Sequence, residues 1–204
     1  MRFHFLNSVK RGEAGGFNGW DTTFLPSGVV ASNDDFTLTR NDGASPGTRI
    51  VPHAVTRTTG KYALRFNIQS LGESQPPGVG VRNGATSNWL GANNAGWGFW
   101  FDNTTNSETT WHGGTRIIRG DLADFATPQE VMMEIDIDAG NIWFGINGVW
   151  IDGDPAAGTS PQYSDLSGTI ELSAEMYYQG SIELLTPDNF STPASAGFTA
   201  GWPE

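Results

Sequence analysis

Alternation of apolar and polar positions is clearest between Glu130 and Trp150, EVMMEIDIDAGNIWFGINGVW. Val131, Met133, Ile135 and Ile137 alternate with Met132, Glu134, Asp136 and Asp138, the period of two that a half-buried strand shows. Asp138-Ala139-Gly140-Asn141 is turn chemistry, with Gly140 free to take positive φ. Ile142, Phe144 and Ile146 resume the alternation, and Asn147-Gly148 is a strong hairpin signal. With residues 138–141 as the loop, Ile137 faces Ile142, Ile135 faces Phe144 and Met133 faces Ile146. The same register sets Asp136 against Trp143 and Glu134 against Gly145 on the other side, which reads as a solvated acidic face.

Shorter strands are predicted on both sides of this hairpin. Val29–Ala31 and Phe36–Arg40 flank a Ser32–Asp35 turn, and Thr48–Val51 follows. From Gly60 to Ile68, Tyr62, Leu64, Phe66 and Ile68 share one face. Pro76-Pro77 precludes a central strand, and Gly78–Val81 forms a short one. Arg82 to Ala95 reads as a long polar loop carrying Trp89. In Gly96–Phe101, Trp97, Phe99 and Phe101 share a face directed at the core, with Trp100 opposite. A strand opens at Thr110-Trp111-His112 and Gly113-Gly114 breaks it. Leu122–Phe125 is the one helical turn the pattern allows. Asp152–Tyr163 is an excursion without periodicity. Ile170–Met176 and Ser181–Leu185 read as a last strand pair joined across Tyr177–Gly180, before a loop-like tail at 186–204. Residues 1–19 are either a first strand at Arg2–Leu6 or an arm docking on a partner protein. Residues 20–204 show no linker, repeat or composition break. The fold class is all-β, an antiparallel β-sandwich.

Composition narrows the options. A chain of 204 residues with 37% hydrophobic and 12% aromatic content can bury a large core without staples. Absence of cysteine removes disulfides, thiolate metal sites and cysteine nucleophiles. A net charge of −11, with basic residues scattered singly apart from Lys10-Arg11, argues against nucleic acid and anionic lipid as partners. No apolar run approaches the ~20 residues of a membrane helix. The opening MRFHFLNSVKRGEAGG lacks the apolar stretch and cleavage site of a signal peptide. A homo-oligomer is compatible with the chain, although no heptads support one.

At this level the chain resembles a SPRY domain, a concanavalin-like β-sandwich, in the form found in bacteriophage virion proteins. The residues that carry the resemblance are Gly60-Lys61-Tyr62, the run EIDIDAGNIWFGINGVW at 134–150, Gly153 to Gly158, Ser181–Leu184 and Ala196-Gly197-Phe198. It spans about residues 20–200. The chain departs from the pattern where Leu184-Leu185-Thr186 replaces a closing Asn-Phe-Gly, and where Ile146 replaces a lysine before Asn-Gly. The resemblance implies a non-enzymatic interaction module without catalytic residues or cofactor. It would be a fibre, spike or decoration component of a virion assembled in the host cytoplasm. Its partners would be other virion proteins and host-surface polysaccharide. The alternative within the same fold is a purely structural connector docked through residues 1–19.

Two constellations bear on chemistry. Glu134-Ile135-Asp136-Ile137-Asp138 is similar to the E-x-D-x-x-E signature of laminarinase-like glycoside hydrolases, which share a concanavalin-like sandwich and use a carboxylate pair. Here Asp138 stands where that family has glutamate, at the start of a turn. Asp136 and Asp138 are too few for a calcium site. The second constellation is aromatic. Trp89, Trp97, Trp100, Trp111 and His112 lie amid Asn88, Asn93, Asn94, Asp102 and Asn103. Aromatic platforms with a few hydrogen-bonding groups suit the apolar faces and hydroxyls of sugars. Trp97 belongs to the core by its face, leaving Trp89, Asn93, Trp100, Asp102, Trp111 and His112 as the expected ligand contacts. His4, His53 and His112 lack metal-ligand spacing, and no G-x-S-x-G elbow occurs.

Overall fold

Period-two patterning governs most of the chain. The computed structural model describes residues 17–42, 50–70, 77–84, 89–102, 107–120 and 128–204. In chain order its strands are β1 (Val29–Ser32), β2 (Thr37–Arg40), β3 (Ile50–Arg57), β4 (Lys61–Ser70), β5 (Gly78–Asn83), β6 (Gly96–Asp102) and β7 (Ser107–His112). There follow β8 (Thr115–Gly120), β9 (Gln129–Asp136), β10 (Asn141–Ile146), β11 (Val149–Trp150), β12 (Ile170–Glu175), β13 (Gly180–Leu184) and β14 (Thr199–Ala200). Helical structure among the described residues is confined to single 3-10 turns at Thr22–Phe24 and Pro187–Asn189.

The strands form two sheets. The eight-stranded sheet runs β1-β2-β13-β4-β9-β10-β11, with β14 alongside β4, and the six-stranded sheet runs β3-β12-β5-β6-β7-β8. All pairings are antiparallel except that of β14, which lies parallel to Tyr62-Ala63 where β13 no longer runs. Between the sheets, Leu64, Phe66, Met133, Ile135 and Phe144 pack against Val79, Val81, Trp97, Phe99 and Leu172 in one hydrophobic cluster. Phe99 and Phe144 stack with ring centroids 5.6 Å apart. The chain is thus a two-layer antiparallel sandwich, as the strand pattern predicts.

The central hairpin keeps its predicted faces but not its register. Ile142 pairs with Ile135, Phe144 with Met133 and Trp143 with Glu134, so each partner differs by two residues from the expectation. A shift of two preserves the inward set. The loop is 137–140, because Gly60 holds its start: Ile137 N–H donates to Gly60 O (2.9 Å) and Gly60 N–H donates to Asp138 Oδ2 (3.2 Å). Asn147-Gly148 does form the next turn, with both residues at positive φ.

Three further expectations are corrected. β12 and β13 do not pair; they lie in opposite sheets, and the 176–179 connection crosses between them. Gly113-Gly114 does not end the local sheet. With φ of 61° and 72°, these residues make the two-residue turn that the right-handed strand twist favours and lead into β8. The side of β9 that bears Glu134 and Asp136 is buried (0% and 5% exposed) instead of solvated, because Arg65 and backbone donors from residues 191–195 close over it. Residues 1–16, most of the expected 1–19 arm, and residues 121–127, with the Leu122–Phe125 turn, lie outside the described residues. Phe17 pairs with Pro203 and Trp20 with His53.

Candidate functional site

Opposite the core, the six-stranded sheet presents a face built from alternate positions of β12, β5, β6, β7 and β8. Ladder pairing sets Glu175, Gly78, Trp100, Thr109 and Ile118 in one row across the strands. The next row is Ser173, Gly80, Gly98, Trp111 and Arg116. The glycines form a floor. A Cβ at Gly78 would overlap the Trp100 indole, and one at Gly98 would overlap the same ring and touch Leu90. Trp100 therefore lies flat on the sheet, 9% exposed.

The segment before β6 comes down onto this floor. Trp89 meets Trp111 edge to face at 4.8 Å and Trp100 at 6.1 Å, and Trp100 and Trp111 are 6.5 Å apart. These are ordinary aromatic packing distances. Trp89 and Trp111 remain half-buried, and Ile118, in line with Trp100, is 57% exposed. Asn93 organises the loop. Its Oδ1 accepts from Ala95 N–H (2.9 Å), and its carbonyl accepts from Gly96 and Gly113 N–H. Gly114 N–H donates to Gly91 O, and Leu90 N–H donates to Glu175 Oε2 (2.7 Å). Glu175 is 3% exposed. Burial pushes its carboxyl up to about 8, against the smaller opposing effect of the Leu90 N–H.

The acidic hairpin does different work. Glu134 Oε1 accepts from the Arg65 guanidinium (3.0 Å) and from Ser195 N–H (2.9 Å), and both side chains of this ion pair are fully buried. Arg65 also donates to the carbonyls of Thr192 and Pro193, and its guanidinium lies over the Trp150 and Phe190 rings. Glu130 accepts from Ser191 and Thr192 N–H. Asp136 pairs with Lys61 (2.7 Å) and accepts from Ala139 N–H. The segment 190–198 thus covers this face and draws its backbone donors into the acids. Glu134, Asp136 and Asp138 are each tied to neighbouring backbone or cations.

No sequence-family model matches the chain, and no curated protein sequence does. Solved structures do. The SPRY domain of human HERC1 superposes with a TM-score of 0.59 at 18% identity, covering 81% of this chain and 96% of that one. The PSpry domain of TRIM65 gives 0.59 at 14% identity, over 83% and 92% of the two chains. Stonustoxin gives 0.58 at 15% identity over 83% of this chain and 27% of its own. The chain has a SPRY-like fold.

On this SPRY-like sandwich the expected ligand residues separate. Trp89, Trp100 and Trp111 come together on the outer face. His112 does not join them. Adjacent strand residues point to opposite sides, so His112 faces inward. There it stacks on Trp97 (4.9 Å, 9° between planes) and contacts Gly96 O at 2.9 Å and Asp165 Oδ2 at 2.8 Å. Asn93 is engaged in the turn. Asp102 ends β6 opposite Ser107, but its side chain, like Asn88 and Asn103, lies outside the described residues. His53 contacts Asn18 O and accepts from Val55 N–H, away from His112's partners. Sequence reasoning missed Leu90, Glu175 and Ile118. Parity along Ile170–Met176 marks Glu175 as outward, yet nothing local announces that a loop covers it.

Proposed function

We propose that this SPRY-like protein is a non-enzymatic binding module whose contact surface is the tryptophan face of the six-stranded sheet. In this reading it is a component of a bacteriophage particle and takes host-surface polysaccharide on that face. One observation carries the contact surface: Trp89, Trp100 and Trp111, from the segment before β6, β6 and β7, converge outside the core, and Trp89 and Trp111 stay only half-buried. Indole faces offer the apolar contact that sugar rings accept, at low entropic cost. The setting in a virion rests on the sequence resemblance described above. A second reading, a structural connector, is favoured by Ile118, whose exposed aliphatic side chain at the end of the row suits a protein partner.

Titration of host capsular and cell-wall polysaccharides into the purified protein, followed by tryptophan emission and calorimetry, tests the first reading. Saturable binding is expected, weakened at least ~10-fold by Trp111→Ala with the far-ultraviolet spectrum unchanged. Binding that survives Trp111→Ala and Trp89→Ala, or no binding to any host polysaccharide, overturns it. Capture of virion proteins that is lost in Ile118→Asp would support the connector instead.

A further inference from the structure

The tryptophan face is held in shape by a carboxyl group with no cation paired to it among the described residues. We propose that Glu175 is a proton-operated latch: while neutral it holds Leu90 and the 89–94 loop down on the sheet, and on ionising it releases them, loosening Trp89 from Trp100 and Trp111. The consequence for ligand binding rests on the reading of this face given above; the latch itself does not.

Position carries the argument. Glu175 is almost wholly buried, and its described partner is one backbone donor, Leu90 N–H. A buried carboxylate is stable only when paired or richly hydrogen-bonded; otherwise the group stays neutral. The described surroundings offer no ion pair. Its ladder neighbours are Ile50 on β3 and Gly78 on β5, with the Trp100 ring lying over Gly78. From above comes Leu90. None of these titrates. On the same face, two rows away, Glu171 is engaged by Arg82. Arg40, which donates to the carbonyls of Met176 and Tyr177, is paired with Asp42 at 2.6 Å. Among the described residues, no charged side chain contributes to the upward displacement of the Glu175 carboxyl.

Ionisation must therefore be relieved by water, and one of the two layers around the carboxyl has to yield. β12 is fixed by ladders to both β3 and β5. The 89–94 loop is held by Gly113 N–H to Asn93 O, Gly114 N–H to Gly91 O and the ring contacts. Segments held by few contacts open at lower free energy than paired strands, so the loop yields first. Trp89, adjacent to Leu90 in the chain, moves with it.

The test follows tryptophan emission and acrylamide quenching of the ligand-free protein from pH 6 to 9.5, in wild type and Glu175→Gln. Gln keeps an acceptor for Leu90 N–H and cannot ionise. Wild type is expected to show a one-proton red shift with increased quenching, centred near 8, that is absent in Glu175→Gln and reduced in Trp89→Phe. A transition that persists in Glu175→Gln, or a wild type without one, overturns the latch. Should Glu175→Gln fail to fold, carbon-13 resonances of the Glu175 carboxyl in wild type decide. Co-titration with the Leu90 amide near 8 supports the proposal, and a midpoint near the usual ~4.3 of glutamate overturns it. These readouts need no polysaccharide, so the latch fails or stands separately from the proposed ligand.

Discussion

The two outer faces of the sandwich solve the same problem in opposite ways. Each carries acidic residues at period-two positions that a local reading assigns to solvent. On the eight-stranded sheet, Glu134 meets Arg65, and a long irregular segment lays its N–H groups on Glu130 and Glu134. On the six-stranded sheet, Glu175 meets, among the described residues, one N–H from a short loop, under tryptophans that remain partly in water. The first face is closed by charge pairing and many backbone contacts. The second is closed by aromatic packing over glycines and can yield. A burial pattern alone does not distinguish the two; the partner of the buried acid does.

The largest effect expected from breaking this contrast is at Arg65 and Glu134. Glu134→Ala leaves a buried guanidinium without its carboxylate and should destabilise the fold by ~3–5 kcal/mol in urea denaturation. The double substitution Arg65→Met with Glu134→Leu should recover most of that loss. A single mutant costing less than about 1 kcal/mol would mean that the closed face is held by backbone contacts alone.

Next comes pH. Glu175 binds its proton more tightly folded than unfolded, so its contribution to stability is complete below about 4.5 and is lost as pH rises to about 8. The unfolding free energy should fall across that window by an amount on the order of a few kcal/mol, and Glu175→Gln should flatten the decline. Equal slopes in the two proteins would remove Glu175 from the account.

A smaller effect is expected at the floor. Gly98→Ala pushes a methyl into Trp100 and Leu90 and should cost ~1–3 kcal/mol, with a changed near-ultraviolet tryptophan spectrum. The smallest is at the rim: Trp111→Ala should cost about 1 kcal/mol in stability, against ~3–5 for the core residue Trp97. Similar costs at these two positions would make the outer tryptophans a second core and not a contact surface.

Much of this was legible in the sequence. The inward faces of β4, β6, β9 and β10 follow from alternation, as does the core position of Trp97. The hairpin register was not legible, because Gly60, remote in the chain, selects residues 137–140 as the loop. Burial of the acidic face was hidden because its cover, the segment 190–198, has no periodicity. The clue was Arg65, a charge inside the apolar run of β4 on the side away from Leu64 and Phe66. β8 escaped because Gly113-Gly114 looks like a stop as readily as a tight turn. At the site, parity alone separates Trp111 from His112, whereas the convergence of Trp89 on Trp111 needs the fold.

The placement of β4 also bears on how the protein comes to be folded. Its neighbours are β9, β13 and β14, drawn from residues 129–136, 180–184 and 199–200. The strand nearest the middle of the larger sheet therefore stays unpaired until distant parts of the chain have been synthesised. Contacts so far apart in sequence close slowly. During that interval Arg65 and the apolar side of β4 are open to other chains. A nascent or truncated chain ending before residue 190 would lack the cover over Arg65, Glu130 and Glu134 and would present that outer face to chaperones or to its own copies, and aggregation is the expected fate of such fragments.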